Sequence, residues 1–265
     1  MSVSAQMNYL KQPFASGMDL LLMSLTSFIK SPVTNVNSTP ARIGKVKYDD
    51  TTREINYLRD GSIHTMRTRE SDGTFTGNLE FSYKNGKVAS VNMGSTKLVY
   101  TYNHTLLSKI ELVNAADMLL YTYEFAYDSA GRLFSQTEYI KTSIPGQMKP
   151  LGQRMYRYNN RGNISTMSIM EYTDGAWKKA KEILYVSYDN QPNTGSLLES
   201  YPFLPLTTLY KNNPLVEEHR NEWGQVVERI IHDYTYDSNG RVITRKTTEI
   251  SEGCSVRASH TAFCY

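Results

Sequence analysis

Cysteine, tryptophan and long apolar runs are all scarce in this chain. The two cysteines, Cys254 and Cys264, both sit near the C-terminus, so no disulfide framework holds the fold together. Their spacing permits one local bridge that would pin the tail in an oxidising compartment; two free thiols on a frayed end fit equally well. No stretch reaches the length of a membrane-spanning helix: the run from Met18 to Leu25 is short, and Asp19 interrupts it. An excess of one charge is also missing. The 29 Lys and Arg nearly balance 26 Asp and Glu, for a net charge of +3, and the basic residues are scattered. Binding to nucleic acid depends on concentrated positive charge, so nucleic acid is not an expected partner.

Catalytic signatures are absent as well. There is no Gly-x-Ser-x-Gly elbow, no phosphate-binding glycine loop and no calcium-loop pattern. His64, His104, His219, His232 and His260 are dispersed, and no pair has helical metal-ligand spacing. No metal or cofactor is expected. Glu217-Glu218-His219 resembles half of an acid–base site, but without a visible partner it reads as a solvated strand end. Asp49-Asp50 and Glu222 would serve a carboxylate-dependent hydrolase only if they met across one cleft. Asp128 and Asp237 occupy turns at equivalent positions, where capping accounts for them. A non-enzymatic protein is the expectation.

What the chain does have is tyrosine: 20 Tyr against 8 Phe and 2 Trp in 265 residues. Tyrosine suits pleated, half-wet surfaces, where the ring is buried and the hydroxyl reaches water or a partner. Residues 1–41 form an N-terminal segment. Within it Met18, Leu21, Leu22, Leu25 and Ile29 step at three and four residues, which predicts a helix over about 17–30 packed on a sheet. Val3 and Ala5 have the small-residue spacing of a signal-peptidase site with no charged or apolar region before them, as if a signal peptide were absent or truncated. An extracytoplasmic location, periplasm or cell surface, is therefore expected.

From residue 42 to 250 one pattern recurs: an aromatic or apolar residue, any residue, tyrosine, a polar turn with glycine, then an apolar residue two positions on. Copies are Ile55-x-Tyr57 with Gly61 and Ile63, Phe81-x-Tyr83 with Gly86 and Val88, and Phe125-x-Tyr127 with Gly131 and Leu133. Tyr156-x-Tyr158 with Gly162 and Ile164, and Tyr234-x-Tyr236 with Gly240 and Val242, continue it. Tyr100-x-Tyr102 lacks the glycine, and Val186-x-Tyr188 has its turn replaced. Residues two apart on a strand share a face, so each pair predicts two rings on one side of a sheet. Asn85-Gly86 and Asn239-Gly240 are hairpin signals in their own right. A lone hairpin is marginal in water, whereas stacked neighbours share a core. The expected fold is mainly β: a curved, multi-stranded antiparallel sheet or incomplete barrel of tandem hairpins, with the N-terminal helix against it. Residues 251–265 read as a tail.

The interval 189–214 interrupts the pattern. Tyr201-Pro202-Phe203-Leu204-Pro205-Leu206 and Leu209-Tyr210 are apolar but broken by proline, so they cannot form a central strand. This insertion is either a cap on one end of the sheet or a lid over a cleft. Tyr201, Phe203, Tyr210, Tyr121 and Tyr123 are the candidate ligand or partner surface, since exposed rings stack on sugars and anchor interfaces. Equally, a curved sheet uses such rings to fill its own concave side.

Tyr123-Glu-Phe-Ala-Tyr127-Asp-Ser-Ala-Gly131-Arg-Leu133 and Tyr234-Thr-Tyr236-Asp-Ser-Asn-Gly240-Arg-Val242 resemble the YD repeats of rearrangement-hotspot proteins and teneurins. Tyr156 to Ile164 is a copy with Asn in place of Asp. The chain also resembles a group of uncharacterised Bacteroidetes YD-repeat proteins, many exported or lipid-anchored. The resemblance implies a β-rich envelope protein whose hairpins coil into one curved sheet. It transfers no catalytic residues, because the repeat residues are structural. The function expected is a binding or scaffold module that presents an aromatic-rich β surface to a glycan or an envelope protein. The alternative is a carrier of an apolar small molecule or lipid in the concavity of the sheet.

Overall fold

The computed structural model describes residues 42–193, 202–205, 207, 209–251, 253 and 255–265. The expected helix over 17–30, Tyr201 and Cys254 lie outside these residues. Among the described residues there are strands and turns and no helix. The strands are β1 (Lys45–Lys47), β2 (Thr51–Tyr57), β3 (Ile63–Glu70), β4 (Phe75–Lys84), β5 (Lys87–Asn92), β6 (Thr96–Asn103), β7 (Leu106–Asn114) and β8 (Leu119–Tyr127). They continue as β9 (Leu133–Lys141), β10 (Met148–Tyr158), β11 (Ile164–Thr173), β12 (Ala176–Pro192), β13 (Asn212–Asn221), β14 (Val226–Tyr236), β15 (Val242–Ser251) and β16 (Val256–Cys264).

Each strand pairs antiparallel with its neighbours in sequence, and β1 pairs with β16, which closes a barrel. Closure corrects the expected open sheet or incomplete barrel. It also corrects the expected tail, because residues 256–264 form the last strand, with Val46 opposite Phe263 on one side and Arg245 opposite Thr261 on the other. A ring leaves no unpaired strand edge, which removes the usual route to edge-to-edge aggregation.

The aromatic pairs do share a face, and it is the inner one. Ile55, Phe81, Tyr100, Phe125 and Tyr156 are buried, and their tyrosine partners Tyr57, Tyr83, Tyr102, Tyr127 and Tyr158 pack against the same core. The hydroxyls explain why tyrosine is required. Tyr83 donates to the Ile63 carbonyl at 2.8 Å, Tyr158 to Leu133 at 2.9 Å and Tyr188 to Ile164 at 2.6 Å. Tyr57 donates to Ile43 at 2.7 Å and Tyr265 to Val242 at 3.1 Å. Tyr83, Tyr158, Tyr188 and Tyr265 thus reach back to the apolar residue that opens the preceding hairpin's return strand, and Tyr57 reaches the residue two before β1. Phe263-x-Tyr265 is a further copy of the pattern that the sequence reading did not single out. One expected copy is corrected: in Val186-x-Tyr188 a register shift turns Val186 outward, 52% exposed, and the inward ring beside Tyr188 is Tyr185.

The Asp and Arg of the best copies have distinct tasks. Asp128 Oδ1 accepts from the backbone N–H of Ala130 and of Arg132, both at 2.9 Å, and Oδ2 accepts from Arg132 Nε at 2.8 Å. Asp237 does the same for Asn239 and Arg241. These bonds hold both carboxyls below the usual range. The arginine thus fixed lies over the next copy's ring: Arg132 is 4.8 Å from the Tyr158 centroid and Arg241 4.5 Å from that of Tyr265. Gly131 and Gly240 sit at φ of 74° and 73°, where a β-carbon is disfavoured.

All these turns lie at one end of the barrel, called here the repeat end. The Tyr48–Thr51, Glu70–Thr74, Asn114–Met118 and Asn221–Gln225 turns lie at the opposite end, the mouth. The outer face carries ion pairs, with exposed apolar residues such as Val186 among them. Lys45 pairs with Glu54 at 3.1 Å, Lys109 with Glu111 at 2.8 Å, and Glu218 with both Arg220 and Arg229. Lys or Arg on the lipid side of a membrane barrel costs about 2–4 kcal/mol each at the midplane.

Candidate functional site in the barrel interior

The barrel has sixteen strands, twice the number at which wall side chains typically just fill the interior. The insertion, expected as a cap or a lid, occupies the repeat end. Tyr100 donates its hydroxyl proton to the Pro202 carbonyl at 2.5 Å, and Phe203 meets Tyr123 edge to face, with centroids 5.7 Å apart. Leu204 is fully buried, and the Leu209 carbonyl accepts from Ile164 N–H at 3.1 Å. Tyr210 packs on Tyr185 and Tyr188, at 5.1 and 6.0 Å between centroids. Two polar anchors fasten the return. Asn163 Oδ1 accepts from the N–H of Lys211 and Asn212, and Asp189 accepts from Asn213 and from the Tyr236 hydroxyl.

Below this strap the inner wall is divided. The β1–β8 half is apolar in its middle, with Val46, Ile55, Met66, Val91, Leu98, Ile110 and Leu112 all buried, while Arg53 and Glu70 share that face nearer the mouth. The β9–β16 half carries ionisable groups, and the register explains how they gather. Past the register shift that follows the Asn221–Gln225 turn, His219 stands opposite Glu228 and Glu217 opposite Ile230, while His232 stands opposite Thr247 on β15. All six therefore point inward. His219 Nδ1 lies 2.7 Å from Glu228 and Nε2 3.7 Å from Glu217; His232 Nε2 lies 3.2 Å from the other Glu217 oxygen and Nδ1 3.0 Å from Thr247. His219 is fully buried, yet the Glu217 and Glu228 side chains keep 14% and 22% exposure. Burial pushes the Glu217 carboxyl up, but pairing with His219 and His232 outweighs it and brings the group to about 2. Among the described residues no group of three or more His, Cys, Asp or Glu is arranged to hold a metal ion.

A second polar group lies on β9 and β10. Glu138, 5% exposed, faces Tyr123 and the backbone of Gly152, where the missing side chain leaves it room. One carboxylate oxygen accepts from the Tyr123 hydroxyl at 3.4 Å, and the other has no hydrogen-bond partner among the described residues. Burial raises this carboxyl to about 7, against the opposing pull of the Arg154 guanidinium. Arg154 is 1% exposed. Tyr185 lies between the two groups: burial foremost, then the Glu217 charge, holds its hydroxyl well above the ordinary tyrosine range, and Arg154 pulls the other way. Towards the mouth the polar wall opens, and Thr261, Ser259 and Arg257 on one face of β16 run from buried to half-buried to exposed.

Of the sequence-predicted surface, Tyr123 and Tyr210 are buried inside the barrel, Phe203 is half-buried there, and Tyr121 is half-buried on the inner face opposite Ile140. Glu217 and His219, expected at a solvated strand end, are instead interior. Asp49 and Glu222 lie on mouth turns with β15 and β16 between their strand pairs, roughly 14 Å of sheet, and Asp49 accepts from the His260 N–H. Glu138, Arg154 and Glu228 were missed. Counting back from the turn Asn221–Gln225 would pair 219 with 227; a register shift between His219 and Arg220 brings Glu228 opposite His219 instead, and no sequence signal marks it.

No family model matches the chain, and no curated protein does. Among solved structures it is similar to a porin-like protein from Bacteroides uniformis ATCC 8492, with a TM-score of 0.58 and 13% identity over 84% of this chain and 97% of that one. A porin-like protein from Bacteroides vulgatus ATCC 8482 gives 0.55 and 10% identity over 84% and 98%. Part of TcdB2-TccC3-TEV also aligns, but its TM-score of 0.26 carries no argument. At these identities the likeness is one of fold: a closed antiparallel barrel shared with two porin-like Bacteroides proteins.

Proposed function

We propose that this chain is a non-enzymatic binding protein of the cell envelope that takes a small amphipathic molecule into its barrel. The observation that carries the reading is the division of the inner wall. A half from β1–β8, apolar in its middle, faces a half lined by Glu217, Glu228 and His232, with the strap closing one end and the polar wall opening towards the other. A ligand suited to it has an apolar body and a hydrogen-bond donor, an amine or a hydroxyl, to meet the Glu217 carboxylate. This is the carrier reading of the sequence with a polar anchor added. It is preferred to an aromatic surface for a glycan or envelope protein because Tyr123, Phe203 and Tyr210 face inward. An envelope location draws support from the description of two barrels of this fold as porin-like.

Native mass spectrometry of the protein purified without detergent should detect a co-purifying small molecule. An amphipathic amine or alcohol panel should raise the melting temperature, with Glu217→Gln and Glu228→Gln each weakening retention at least ten-fold. An empty wild-type protein that no panel member stabilises would overturn the proposal.

A further inference from the structure

Strand β9 buries four polar residues in succession, Ser135, Gln136, Thr137 and Glu138. Thr137 is on the outer face and is served by Gln153, whose Nε2 donates to its hydroxyl oxygen at 2.9 Å. Gln136 and Glu138 differ. They stand opposite Phe125 and Tyr123 on β8 and opposite Arg154 and Gly152 on β10, so both point into the barrel. Gln136 is 2% exposed and Glu138 5%. Yet Gln136 Oε1 and Glu138 Oε2 each lack a hydrogen-bond partner among the described residues. A buried acceptor left unpaired is costly, and two of them side by side on one strand call for a donor from outside the wall.

The chemistry of that donor follows by elimination. A hydroxyl carries one donor proton and can serve only one of the two acceptors. An ammonium carries three, but it would stand beside the buried Arg154 guanidinium, whose like charge opposes it. A carboxylate carries none. A primary carboxamide or a ureido group is neutral and planar, with two N–H bonds on one nitrogen and a carbonyl behind them. Residues two apart on a strand emerge roughly 7 Å apart on one face. The two N–H bonds of an amide reach acceptors about 5 Å apart, a separation that two converging side chains attain. The amide carbonyl then presents an acceptor to Arg154.

We infer that Gln136 and Glu138 form a subsite for a primary carboxamide or ureido group, carried by the interior ligand at the end remote from Glu217. The inference rests on the carrier reading and names the ligand's second head. A head of the same shape without N–H would leave both acceptors unpaired, and sites built from buried polar groups discriminate strongly against such analogues.

The test titrates the full chain calorimetrically with ω-hydroxy fatty amides of graded chain length and with the matching methyl ketones. The ketone keeps the shape and the carbonyl and puts a methyl group where the amide has its nitrogen. At the chain length that binds best, the amide should bind at least ten-fold tighter than the ketone. Glu217→Gln should weaken both and preserve that ratio, whereas Gln136→Met should bring the ratio close to one. Without ligand, Gln136→Met should melt no lower than wild type, since methionine fills the same space and removes an unpaired acceptor. A lower melting temperature would mean that Gln136 braces the wall, and would overturn the inference. Equal binding of amide and ketone overturns it while leaving the carrier reading in place, and is the result expected if a trapped water serves both acceptors. A ratio that collapses with Glu217→Gln instead of Gln136→Met also overturns it. If neither compound binds the inference fails, and failure of the amine and alcohol panel as well takes the carrier reading with it.

Discussion

Replacing Glu138 by glutamine isolates the most perturbed carboxyl in the interior. The side chain is 5% exposed, and its carboxyl is raised from 4.5 to about 7, chiefly by burial. A carboxyl raised on folding holds its proton more tightly in the folded than in the unfolded state. Its contribution to stability is therefore full below about pH 4.5 and is lost as pH rises to about 7, after which it is constant. Each pH unit across that window is worth ~1.4 kcal/mol, so the loss is about 3 kcal/mol. Glutamine keeps the shape and cannot ionise. Exchange of the protonated carboxyl for an amide shifts the stability of E138Q by a constant, whereas the pH dependence of the difference between the two proteins belongs to the ionisation of residue 138. Other titrations common to both proteins cancel. Glu217, lowered to about 2, contributes stability that is lost only as pH falls from about 4.5 towards 2, outside the window. Urea unfolding of both proteins at several pH values from 4.5 to 8 should show E138Q gaining about 3 kcal/mol relative to wild type across the range. A flat difference, or one that falls with pH, would refute the account of the Glu138 environment.

Three further substitutions probe the wall and the strap. Asp237→Ala removes three hydrogen bonds at the β14–β15 turn and should lower the denaturant midpoint. Loosening of Arg241 over Tyr265 should appear as a shifted Tyr265 ring resonance. Tyr158→Phe deletes only the hydroxyl that reaches Leu133; a loss of about 1–2 kcal/mol is expected, and an unchanged midpoint would mean the hydroxyl is dispensable. Leu204→Ala hollows the strap where it is fully buried. It should cost about 2–5 kcal/mol and speed proteolysis near residues 202–210 before the wall is cut.

The hairpin unit was legible because its determinants are local. Two-residue spacing puts Phe81 with Tyr83 and Phe125 with Tyr127, and the turn residues at Asp128 and Asp237 announce their own geometry. Closure was not legible, since it rests on β1 meeting β16, positions more than two hundred residues apart that no local pattern connects. The final strand carries a copy, Phe263-x-Tyr265, but without a following turn it lacks the glycine by which the others are recognised. Val186 misled because a register shift exchanged the faces beside it, and bulges leave little mark on an alternating sequence. At the candidate site, same-face geometry was visible for Glu217 and His219. Which face looked inward depended on the ring, and Glu138 and Arg154 sit on strands whose neighbours could be assigned only after pairing.

The backward reach of each tyrosine has a consequence for how such proteins change size. A hairpin whose ring fastens only to the unit before it makes no demand on units farther round, so one more could be spliced in, or one removed, without rewriting the rest. Each such event would alter the girth by two strand spacings, about 10 Å. Bore width, and with it the bulk of whatever the interior admits, would then vary by duplication of short segments and not by the slow accumulation of wall substitutions.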